Sequence, residues 1–248
     1  MKVDGQFALE AYSHPGAVRG YSAAVKRIGL WRCEEDFFGR VLPVDGRILD
    51  LGCGAGRTTF GLHGKGYSNI VGADLSPVMI LQARRHAEKR RVEIRFRVGD
   101  ACRLPFPSRS FDGCLFSFNG LMTIPRRSNR IAALREIRRV LVPGGPFVFT
   151  THERGGNARR WRRERALWKT GRQDPRLHEF GDELIEELGR PTFVHVPDRQ
   201  EVLDSLKAAG LECLDDERPD IARESNSVRR FIGSRVRFWA ARKPPPKR

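Results

Sequence analysis

Three carboxylates and three glycines are spaced so that they could hold one ligand. The segment RILDLGCGAGRTT (Arg47–Thr59) reads Asp50-x-Gly52-x-Gly54-x-Gly56. Apolar Ile48, Leu49 and Leu51 surround the carboxylate, and the residues after Gly56 suit a helix. That is a strand, a tight turn and a helix start, in which glycine permits positive φ and bare backbone can approach a ligand. A carboxylate just before the first glycine would repel a dinucleotide's pyrophosphate. It would welcome a ligand with a cationic tail and no phosphate. Asp74 and Asp100 repeat the theme farther along, and His152 has the side chain best suited to move a proton near neutral pH. His195 and His14 are weaker candidates for that task. No metal centre is expected: the adjacent pairs His152-Glu153 and His178-Glu179 lack ligand spacing, and there is no C-x-x-C pair.

The elements around these residues alternate strand and helix. Strands are predicted at 47–51, 69–75, 94–98, 111–118 and 147–151, with helices at about 56–65, from Ser76 and at 129–141. Ser76 is a natural N-cap with Pro77 in the first turn. Two final strands, 211–215 and 236–241, read as an antiparallel pair after a helix at 198–209 that Asp198 caps and Gly210 stops. The expected fold is α/β: a Rossmann-like, seven-stranded, mostly parallel sheet, last strand antiparallel, with helices on both faces. Ligands of such sheets bind outside the carboxyl ends of the strands, where Asp50, Asp74, Asp100, Asn119 and His152 should gather. Residues 1–45 read as an N-terminal helical lid broken by a loop at Pro15-Gly16. Residues 46–242 form the main domain, interrupted at 153–197 by an inserted helical cap with amphipathic spacing at 158–169 and 181–188. Residues 243–248 read as a disordered tail.

The 248 residues suffice for one sizeable domain, and 40% hydrophobic with 31% charged residues fits a soluble globular protein. No apolar run approaches the ~18 residues of a membrane span, and the N-terminus lacks a signal peptide's apolar core, which points to the cytoplasm. Five scattered cysteines suggest reduced thiols. The net charge of +16 is the footprint of a nucleic-acid binder, but it comes almost wholly from arginine, a skew that codon usage alone can produce.

In order and detail, ILDLGCGAGR, VGADLSPVMI, GDACRLPFPSRSFDGCLFSFNGL and LREIRRVLVPGGPFVFTT resemble the class I S-adenosylmethionine-dependent methyltransferases. Within them they are similar to the group that includes the ubiquinone and menaquinone C-methyltransferases and many small-molecule methyltransferases. The resemblance covers about 46–151. It implies S-adenosylmethionine as cofactor, a ligand with the cationic tail expected above. Asp50 and the loop Gly52, Cys53, Gly54, Gly56 would hold its methionine end. Asp74 would accept from the ribose hydroxyls, Leu75 and Met79 would pack near the adenine or ribose, and Asp100 and Ala101 would meet the adenine. Phe118 and Asn119 would face the methyl group, and Tyr21 would close over the cofactor from the N-terminal side.

The resemblance implies methyl transfer to a small organic acceptor by in-line displacement. Trp161 and Trp168 of the cap would enclose that acceptor, and the nine basic residues of 154–176 could meet an anionic one. An RNA methyltransferase using 154–176 is the alternative, although the Asn/Asp-Pro-Pro-aromatic motif of adenine N6 methyltransferases is absent. A non-catalytic cofactor-binding protein and a nicotinamide oxidoreductase are further alternatives, the latter opposed by Asp50. The oligomeric state stays open.

Overall fold

Five parallel strands come first in the chain: β1 (Ile48–Leu51), β2 (Ile70–Asp74), β3 (Arg95–Val98), β4 (Gly113–Phe116) and β5 (Pro146–His152). A hairpin, β6 (Asp182–Glu187) with β7 (Arg190–His195), stands apart. The chain then returns through β8 (Glu212–Glu217) and β9 (Val236–Arg242). The computed structural model describes residues 2–246, apart from 156, 188 and 233–234. Its seven-stranded sheet has the order β3-β2-β1-β4-β5-β9-β8, and β9 is antiparallel to both of its neighbours. The strand order reverses between β1 and β4, which marks the ligand-binding crevice of such sheets.

Strand alternation divides the core. Leu49 and Leu51 of β1 face α6 (Arg127–Val140) and α8 (Arg199–Ala209), together with Phe147, Phe149 and Trp239. Ile48 faces the other way, toward Phe37 and Phe38 of α3 (Arg32–Val41). A third cluster joins Val18 and Val25 of α2 (Pro15–Arg27), Phe60 of α4 (Arg57–His63) and Met79, Ile80 and Ala83 of α5 (Pro77–Arg90). Each fully buried large apolar side chain contributes roughly 1.5–3 kcal/mol. Local signals set the helix ends: Ser76 Oγ accepts from Met79 N, and Asp198 accepts from Glu201 N. Gly210 closes α8 at φ +73°.

The N-terminal region differs from expectation. Pro15-Gly16 is no loop: Pro15 opens α2 directly after α1 (Gly5–Ser13), and His14 Nδ1 caps it by accepting from Gly16 N at 3.2 Å. Pro has no N–H to lose in a first turn, so it starts this helix as easily as it would break another. The cap differs too. Residues 158–169 do form α7 (Ala158–Lys169), but the helix expected at 181–188 is β6. Gly181 and Gly189 take φ of +104° and +83° at either side of it, and the β-branched run of β7 pairs along its length. Cross-strand pairing overrides the helix propensity of the Glu- and Leu-rich segment. One further helix, α9 (Asn226–Ile232), lies where none was expected. At the C-terminus Lys243 exchanges backbone hydrogen bonds with Gly144 and Gly145, and residues 247–248 of the expected tail lie outside the described residues.

A buried charge network ties the hairpin to α8. His195, 0% exposed, contacts Asp182 through Nδ1 at 2.8 Å and Glu201 through Nε2 at 2.6 Å. Burial alone would lower its pKa, but the two carboxylates outweigh burial and hold it above the ordinary histidine value. An imidazolium stabilised by folding contributes fully below the unfolded pKa of ~6.5, and that contribution is lost as pH rises through the higher folded value. Despite burial, Asp182 and Glu201 are held low by the same contacts, so their share is lost toward acid. His195→Gln should therefore destabilise the chain most near pH ~6, and the deficit should shrink toward pH ~9. Urea unfolding of both proteins across that range checks this, and a constant gap would mean that His195 is neutral.

Candidate active site

The glycine loop is fixed from below and behind. Cys53 N donates to Ala73 O at 3.0 Å, which ties the loop to β2. Gly54 N donates to Asp74 Oδ2 at 2.9 Å, and Ser76 N donates to Asp74 Oδ1 at 2.8 Å. Asp74 thus clamps the loop to the start of α5. Burial raises its pKa against these two N–H groups. Asp100, exposed after β3, accepts from Cys102 N at 2.8 Å.

Asp50 has a different position from the one expected. Strand alternation puts it on the same face as Ile48, 0% exposed, where Oδ2 accepts from Thr58 Oγ1 at 2.7 Å and Thr59 Oγ1 at 2.6 Å. Its Oδ1 is buried without a hydrogen-bond partner among the described residues. Burial pushes its pKa up to about 6 against the two threonine bonds. Asp50 therefore anchors α4 behind the loop.

A cavity of about 520 Å³ opens over the ends of β1, β2 and β4. Tyr21, Gly52, Cys53, Gly54, Asp74, Leu75, Met79, Asp100, Ala101 and Phe118 line it together. Asp50, Gly56, Asn119 and His152 do not. Asn119 sits behind Phe118 with its N–H on Thr150 Oγ1 at 3.0 Å, both residues having positive φ at the end of β4. His152 ends β5, and burial lowers its pKa, with Glu183 opposing and Arg235 reinforcing. No described residue of 153–197 lines the cavity. Trp161 packs edge-on to Phe180, ring centroids 5.9 Å apart, and the expected enclosure by Trp161 and Trp168 gives way to cover from α1 and α2.

Several cavity residues carried no signal in the sequence. Gln6, Ala8, Leu9 and Tyr12 come from α1, and Arg57, Ile124 and Asn129 complete the wall. Tyr21 donates to Glu187 Oε1 at 3.1 Å, a contact hidden while 181–188 read as a helix. Burial raises Glu187 above the usual carboxylate range, although the Tyr21 bond opposes it. Among the described residues Glu179, Asp182 and His195 also bring possible metal-ligand atoms within 4.8 Å of one another. Those atoms are already engaged: His195 by Asp182 and Glu201, Glu179 by Arg127 N and Arg130.

The model of the family described as "Methyltransferase domain" matches residues 48–145. Demethylmenaquinone methyltransferase of Thermus thermophilus is 41% identical over 103 residues, 41% of this chain and 45% of that protein. Residues 48–145 thus carry the sequence of a methyltransferase domain. Solved structures share its fold. A methyltransferase from Methanosarcina mazei superimposes with TM-score 0.67 at 22% identity over 85% of this chain and 98% of its own. The cyclase SpnF superimposes with TM-score 0.72 at 21% identity over 99% and 98%. The chain matches under half the length of the curated relatives named first, and fold alone does not assign a reaction.

The cofactor of this domain class is S-adenosylmethionine, and the residues present fit it. A Cβ built on Gly54 would project into open space with nothing within 4 Å, on the cavity wall. Asp74 and Asp100 supply acceptors on the same wall for hydroxyl and amino donors. Gly54→Ala should weaken binding of S-adenosylhomocysteine, the cofactor's demethylated product, because φ is +53° and the methyl group enters the ligand space. Gly52→Ala should instead destabilise the fold, since its Cβ would lie 2.5 Å from Phe116 Cε2. Calorimetric titration paired with thermal melts separates the two effects.

Proposed function

We propose that the chain transfers the methyl group of S-adenosylmethionine to a small, largely apolar organic acceptor in the cavity beneath α1 and α2. The mixed lining of that cavity carries the reading. Gly54, Asp74 and Asp100 offer it polar groups, and Ala8, Leu9, Ile124 and Pro125 offer it apolar surface. When bound, the cofactor supplies an electrophilic methyl group for in-line displacement. The glycine loop, Asp74 and Asp100 hold and orient it, with Leu75, Met79 and Ala101 packing around it. The α1–α2 cover excludes water. Where the acceptor must lose a proton, Tyr21 touches the cavity and Glu187 holds its hydroxyl, so this pair supports that role better than His152, which is off the wall.

The named relative acts on demethylmenaquinone, which makes a demethylated naphthoquinone the first acceptor to try. RNA as acceptor is the weaker reading, because no described residue of the arginine-rich 154–176 lines the cavity. Titration with S-adenosylhomocysteine at low and moderate salt, with and without bulk tRNA, tests the proposal. Micromolar binding indifferent to RNA supports it, and binding strengthened by RNA favours the alternative. No binding refutes the cofactor site. Bound cofactor with no turnover on any acceptor would make the chain a non-catalytic binder.

A further inference from the structure

A second cleft, of about 770 Å³, lies on the same rim of the sheet. Three chain segments build it where the end of β5, the end of β8 and the start of β9 meet: Glu153 with the first turn of α7, then Arg218, then Arg235. It contains no residue of the first cavity. Two strand spacings, roughly 10 Å, separate β4 from β9 along the sheet.

The wall holds four guanidinium groups, Arg159, Arg162, Arg218 and Arg235, and one carboxylate, Glu153. That carboxylate is already shared by Arg218 at 3.0 Å and Arg237 at 3.2 Å. Arg159, Arg162 and Arg235 have no ion-pair partner among the described residues. Other arginines nearby are paired, Arg154 with Asp198 and Glu201, Arg160 with Glu183, and Arg199 and Arg237 with Asp216, whereas Arg163 and Arg165 of α7 also have no ion-pair partner among the described residues. What sets the cleft apart is concavity: guanidinium groups from three chain segments line one hollow whose single carboxylate is already shared.

We propose that this cleft binds a phosphoryl anion, and specifically the pyrophosphoryl group of a small molecule. Guanidinium forks match phosphate oxygens two at a time, and three or more from separate segments can surround a group carrying several charges. A concave site favours a compact anion over an extended polymer. An RNA strand would instead run along the outer face of α7 and engage Arg163, which is exposed and does not line the cleft. The proposal does not depend on methyl transfer.

The test is calorimetric titration of the full chain with inorganic pyrophosphate at low salt, on the unaltered protein and on Arg162→Gln, Arg235→Gln and Arg163→Gln. Single-site saturable binding is expected, weakened about tenfold or more by the first two changes and unaffected by the third. S-adenosylhomocysteine affinity should be the same in all four proteins, which confirms their folding. If that affinity is absent throughout while pyrophosphate still binds, the cofactor site fails and this site stands. No saturable pyrophosphate binding overturns the proposal. So does equal weakening by Arg163→Gln, which would mean diffuse charge. A short RNA oligonucleotide that binds more tightly than pyrophosphate, and is weakened equally by all three changes, would replace the proposal with a nucleic-acid surface.

Discussion

Asp74→Ala is expected to weaken S-adenosylhomocysteine binding by about tenfold to a hundredfold, the range that hydrogen bonds to a charged group imply at roughly 1.5–3 kcal/mol. Two effects combine. The carboxylate lines the cavity and offers acceptors to ligand hydroxyls, and it holds Gly54 N and Ser76 N in place. Asp74→Asn keeps one acceptor oxygen and should lose less. Because the ligand meets the ionised form, affinity should also fall as pH is lowered, and it should do so at a pH above that of an ordinary aspartate, since burial raises this group. Titrations at several pH values read both effects. A variant that melts earlier but binds with unchanged affinity would confine Asp74 to supporting the loop.

The strand-and-loop part of the site was legible because its signals are local. Gly52 to Gly56, Ser76-Pro77 and Asp100 each follow a strand end where backbone demands choose the residue type. Composition said little about what covers the cavity, because α1 contributes ordinary Ala, Leu, Gln and Tyr. The hairpin was misread for a physical reason: Glu-Leu-Ile-Glu-Glu favours a helix on its own, and only pairing with Thr192, Phe193 and Val194 makes it a strand. Asp50 shows the limit of motif reading. Its type is right for a ligand's ammonium group, yet the two-residue period of β1 turns it under α4, onto Thr58 and Thr59.

Glu34→Ala should cost the chain about 3–5 kcal/mol of stability, the loss typical when one partner of a buried ion pair is removed. For a chain of this size that corresponds to a melting temperature lower by roughly 6–20 °C. Glu34 is 0% exposed and accepts four hydrogen bonds: two from Arg57 at 2.6 Å each, one from Ser117 Oγ at 2.9 Å and one from Trp31 N at 3.0 Å. Removing it strands a guanidinium whose side chain is 13% exposed, with Gly29 O and the rings of Trp31 and Phe118 left beside it. The pair joins α3 to the first residue of α4, immediately after Gly56, and Arg57 itself lines the cavity. Cofactor affinity should therefore fall along with stability. Replacing both partners with apolar residues, Glu34→Leu with Arg57→Met, should restore much of the stability, because no buried charge is left unpaired. It should not restore the affinity, because the cavity wall has changed. Melts and titrations on the single and double variants separate those outcomes. A cost below ~1 kcal/mol for Glu34→Ala would mean that water reaches Arg57 and that α3 is not held by this pair.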